Sequence, residues 1–146
     1  MSQNRSSQST SRAVIAQLAQ PSRLADQHPV AARFIYALRL IALHDNARRD
    51  PVPELAARLG GVEIAAKALA LAQAVKCTWP EDVHVSRFCC GLLSHDEATI
   101  GAMIGCAVER DPSGFDATVK GLIRPDRIDR LWECVLDLAT AELGAQ

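Results

Sequence analysis

The chain has 146 residues, of which 49% are hydrophobic and 23% charged. That is the composition of one folded domain, since a disordered chain has too few apolar groups to offset its ordering entropy. Its 16 Lys and Arg against 17 Asp and Glu leave a formal charge of −1, so no net field draws it to nucleic acid or anionic lipid.

Residues 1–27 are rich in Ser, Gln and Asn and carry Arg5, Arg12 and Arg23 with no acid before Asp26. Such a segment cannot bury a core, and we expect a disordered polar, basic tail rather than a basic arm or a transit segment. The domain itself is expected over 28–146.

From Pro29, favoured at a first helical position, Val30, Phe34, Ala37, Leu38 and Ile41 recur on one helical face, which Ile35, Leu40 and Leu43 widen. So wide a face predicts a central helix. Arg39 inside this apolar run either snorkels to water or pairs with a carboxylate, and snorkelling is the first expectation. Asp50-Pro51-Val52-Pro53 breaks the helix and opens a short one that Gly60-Gly61 closes. A longer helix follows with Ile64, Ala68, Leu71, Ala72 and Val75 at helical spacing, ending at Thr78-Trp79-Pro80 because the residue before a proline leaves helical geometry.

Val83 to Phe88 alternates apolar and polar residues, yet no second strand offers itself, so an extended link over the bundle is expected. Ser94-His95-Asp96-Glu97 is a capping box, and the helix beyond it presents Ile100, Met103, Ile104, Ala107 and Val108 on one face. Gly101 and Gly105 suggest a close approach of another backbone. Asp111-Pro112 turns into a short helix, and after Arg124-Pro125 the last helix carries a stripe of Ile128, Leu131, Trp132, Val135, Leu138 and Ala139.

These elements predict an all-α single-domain bundle: four main helices near 29–48, 62–77, 94–110 and 126–142, with two short ones at 53–59 and 114–122. Phe34, Leu38, Ile41, Leu69, Ile104, Leu131 and Val135 are its expected core. Apolar runs such as FIYALRLIAL fall short of the roughly 20 residues that a membrane helix needs.

Reactive side chains concentrate between Val83 and Glu97. His84, Cys89, Cys90 and His95 offer the imidazole and thiolate ligands that zinc prefers, with Cys77 and Cys106 as further donors. The spacing is not a standard metal spacing, and successive side chains of an extended link point to opposite sides. A reactive thiol is a second reading, with Arg87, His84 and the capped helix as activating groups, although a helix dipole fades within its first turn. Inert, packed cysteines are the expectation against which both are weighed. Five cysteines, an odd number without scaffold spacing or a secretory signal ahead of them, predict reduced thiols in a cytoplasm.

The run ELAARLGGVEIAAKAL admits a DNA-binding helix-turn-helix, but its second helix shows Ala65, Ala66, Lys67 and Ala70, which is poor in side chains that read base edges. No phosphate loop or nucleophile elbow is present. Asp96 and Glu97 are explained by capping and the helix dipole.

After an Arg-marked first helix and Asp45-Asn46-Ala47, the run Cys89-Cys90 followed by Ser94-His95-Asp96-Glu97 resembles a small family of helical bacterial proteins, over about Phe34 to Leu143. Its motifs are short. The resemblance implies no activity, and it directs attention to Arg39, Cys89, Cys90, Asp96 and Glu97. The expectation is a non-catalytic interaction or regulatory protein without a cofactor, using a face near Trp132 or Tyr36 for a protein partner or a homodimer. A zinc- or thiol-dependent protein built on Cys89 and Cys90 is the alternative, and DNA binding the second.

Overall fold

Each helix starts and stops where the local chemistry dictates. A computed structural model describes residues 22–145 of the chain. Among them are six α-helices, α1 (Pro29–Asn46), α2 (Val52–Leu59), α3 (Val62–Thr78), α4 (His95–Val108), α5 (Pro112–Val119) and α6 (Pro125–Gly144), and no strand. The all-α single-domain expectation holds. The tail expected over 1–27 lies outside the described residues as far as residue 21.

Pro29 opens α1, and the His28 ring accepts from the backbone N–H of Val30 at 3.1 Å. Gly60 closes α2 in the left-handed region at φ 87°, which lets Gly60 and Gly61 both donate to the Ala56 carbonyl. Trp79 ends α3 in extended geometry ahead of Pro80. Asp111 caps α5 by accepting from Gly114 N–H.

The packing follows the apolar stripes. α3 lies against α6 and runs antiparallel to it, as Lys67–Asp137 and the Arg127 hydrogen bond to the Cys77 carbonyl require. α1 packs mainly on α4, which also touches α5 and α6. Val30, Ala31, Phe34, Ile35, Ala37, Leu38, Arg39 and Leu40 of α1 are all buried, as a central helix demands. Of the expected core, Phe34, Leu38, Ile104, Leu131 and Val135 are buried, whereas Ile41 and Leu69 are half-buried against it. Leu69 falls at the edge of the α3 stripe formed by Ala65, Ala68 and Ala72.

Two local expectations change. Gly101 meets the side chain of Gln27 and the end of Ile35 rather than another backbone, and Gly105 has open space at its Cα. Ser22–Gln27, assigned to the tail by composition, is tied to the link: Leu24 N–H donates to the Gly91 carbonyl and Leu93 N–H to the Ser22 carbonyl, both at 2.8 Å. Arg23 and Leu92 thereby form a single antiparallel bridge.

Candidate functional site

The link from Trp79 to Ser94 crosses the bundle between α3 and α4, and it is held by groups brought from both sides. Arg39, 1% exposed, donates from Nε to Glu97 Oε2 at 2.8 Å and from Nη2 to Glu97 Oε1 at 3.0 Å. Its remaining reach goes to the link, with Nη1 donating to the Cys90 carbonyl at 2.5 Å and Nη2 to the Leu92 carbonyl at 3.1 Å. Snorkelling is therefore replaced by a buried two-pronged ion pair, the arrangement in which the planar guanidinium fork matches a carboxylate.

Glu97, fully buried, does a second task. Its Oε1 accepts from the Ser94 N–H at 2.9 Å while Ser94 Oγ accepts from the Glu97 N–H at 3.1 Å, which completes the predicted capping box. Ser94 Oγ also donates to the His84 carbonyl, and Asp96 Oδ2 accepts from the His84 N–H at 2.7 Å. The first turn of α4 thus pins the link at His84, and α1 pins it at Cys90 and Leu92. Capping alone, the sequence explanation of Asp96 and Glu97, is incomplete.

Burial pushes the Glu97 carboxyl upward, but hydrogen bonds from Arg39 and Ser94 and the Arg39 charge outweigh it and hold the group below its ordinary value. The hydrogen bond to Glu97 raises Arg39 further, against the opposing effect of burial. Both members are charged at neutral pH.

His84, Cys89, Cys90 and His95 are not gathered into a metal-holding group; among the described residues no three His, Cys, Asp or Glu side chains are. His84 and Cys89 are exposed on the link, Cys90 is half-buried there, and His95 is exposed on the first turn of α4. A turn closed by Cys90 N–H on the Arg87 carbonyl sets the cysteine pair apart from that helix start. The cysteines are all free thiols, with Cys77 and Cys89 exposed and Cys90, Cys106 and Cys134 half-buried. In the helix-turn-helix region, Ala65 and Ala68 of α3 are buried and Lys67 is paired with Asp137.

A second constellation, absent from the sequence reading, lies beside Tyr36. His44 Nε2 is 2.6 Å from Glu54 Oε2, Arg58 Nε donates to Glu54 Oε1 at 3.0 Å, and Arg58 Nη1 donates to the Tyr36 hydroxyl. The Tyr36 ring leans on Phe88 of the link with centroids 4.9 Å apart. The hydrogen bond from His44 is the main cause that keeps Glu54 below its ordinary value, with Arg58 adding to it. Leu40, Leu43, Ala47 and Phe88 line a groove of about 340 Å³ here, with Arg49, Arg58, His44 and Glu54 around it. The signal available in the sequence was the i, i+4 pair Glu54 and Arg58 and the spacing of Tyr36, Leu40 and Leu43 along one side of α1, continued by Ala47 at its C-cap.

Trp132, the other aromatic singled out, packs edge-on against Phe115 with centroids 5.1 Å apart. Arg33 and Glu142 form a further pair at 2.6 Å that joins α1 to α6, with Arg33 also donating to the Leu59 carbonyl. Comparison of the chain with protein-family models, with curated proteins and with solved structures finds no match.

Proposed function

We propose that this chain is a non-catalytic interaction protein. The observation that carries the reading is Leu43, 49% exposed near the end of an otherwise well-buried helix, in a groove that Phe88 also lines. A single exposed leucine is ordinary. One that sits in a groove beside Tyr36 and Phe88, on a link held by a buried ion pair, is a pre-formed surface of the kind that partners use. The groups that a catalytic reading would draw on favour the same conclusion, since Arg39, Asp96 and Glu97 have their hydrogen bonds directed at the chain's own backbone and at each other.

Affinity capture with the tagged full chain, combined with light scattering, tests this. The expected result is one partner, or the chain itself, retained at fixed stoichiometry and displaced by untagged protein. A strict monomer that retains nothing displaceable contradicts it.

A further inference from the structure

Resting on that reading, we propose that the groove between α1, α2 and the link docks a short amphipathic segment of another protein that combines an apolar anchor with carboxylates. Leu40, Leu43, Ala47 and Phe88 give the groove an apolar lining. The rim supplies the charge. Of the acids and bases lining the groove, Glu54 has each carboxylate oxygen already engaged, one by His44 and the other by Arg58.

Arg49 lines the same groove and is exposed. Among the described residues it forms no ion pair. With Arg58 matched by Glu54, Arg49 is the unmatched guanidinium of the lining, and it is complementary to a carboxylate, which a guanidinium binds in a two-pronged geometry.

Size and shape select the class of occupant. At about 340 Å³ the groove is at the low end of ligand pockets, and it is open, so a small molecule would not reach the burial that tight binding needs. An amphipathic segment lays a few anchors into such a groove and covers it with its own backbone. A second copy is the competing occupant, through the acids Asp129, Glu133 and Asp137 exposed on α6. That contact joins two different surfaces, so it closes into a dimer only where a two-fold axis sets each copy's α6 on the other's groove, and otherwise extends head to tail.

Random short peptides displayed as a library and selected on the full chain are the probe, with fluorescence polarisation as the readout. The variants are Leu43→Asp, Arg49→Glu and, away from the groove, Val62→Asp, which is 70% exposed. All three positions are exposed, and helix content by circular dichroism checks that each variant folds. Selected peptides should pair Leu or Phe with Asp or Glu, and Leu43→Asp and Arg49→Glu should each weaken them about tenfold or more while Val62→Asp leaves them unchanged.

Selection of basic peptides, equal binding by all variants, or self-association that Leu43→Asp dissolves would overturn the proposal. A stoichiometric partner that binds Leu43→Asp and Arg49→Glu as well as the wild type overturns the groove while the interaction reading stands. A wild-type chain that binds neither peptide nor partner removes both.

Discussion

Arg39 and Glu97 are the two fully buried charges whose pairing decides how the link is held, being 1% and 0% exposed. Removing one member leaves the other uncompensated in the core, so Glu97→Gln should lower the unfolding free energy by about 3–5 kcal/mol in urea at neutral pH. The pH dependence has a definite sign. Glu97 is held below the ordinary 4.5 in the folded state. Its contribution is therefore fully present above about 4.5 and is lost as pH falls through the lower folded value. Arg39, raised, stays charged throughout, and Glu54, also lowered, is common to both proteins. The stability gap between wild type and Glu97→Gln should accordingly narrow as pH drops below about 4. A gap independent of pH would show that the carboxylate is not what Glu97 contributes. The sequence displayed Arg39 as an anomaly in an apolar run, but its partner lies 58 residues away. A usable sign was present: Glu97 sits three residues before Ile100 and seven before Ile104, on the buried stripe of α4, where a lone carboxylate demands a cation.

Among the elements, those whose ends are set by local chemistry were legible. Ser94 and Glu97 form the capping box, Pro29 and Pro125 open their helices, and Gly60 closes α2, because these contacts lie within a few residues. The pairing of Ser22–Leu24 with Gly91–Leu93 was not legible, since it uses backbone groups alone and a polar composition hides it. Two glycines give opposite predictions in urea unfolding. Gly60 needs its left-handed φ of 87°, so Gly60→Ala should destabilise by about 1–2 kcal/mol despite the open space around it. Gly105 lies in α4 with nothing near a new methyl group, so Gly105→Ala should stabilise by about 0.4–1 kcal/mol. A destabilising Gly105→Ala would restore the close approach that the spacing of Gly101 and Gly105 suggested.

At the scale of the whole molecule, periodicity predicted the bundle because stripes of Ile, Leu, Val and Ala must meet one another, and α3 on α6 and α1 on α4 satisfy them. The groove beside Tyr36 was not predictable beyond that residue, because it needs α1, α2 and Phe88 to be placed together. No helix among the described residues is long and apolar enough to cross a membrane. The buried pair joins the link to the bundle, and on the proposed reading it holds Phe88 in place beside the groove. Amide hydrogen exchange on the full chain, compared with the Arg39→Met/Glu97→Leu double variant, tests this most directly. Apolar replacement of both charges removes the buried-charge penalty and spares the core, but it leaves the Cys90 and Leu92 carbonyls without their donor and the Ser94 N–H without its acceptor. The prediction is that Leu24, Cys90 and Leu93 amides lose protection while α3 and α6 keep theirs. Unchanged protection of the link amides in the double variant would contradict it.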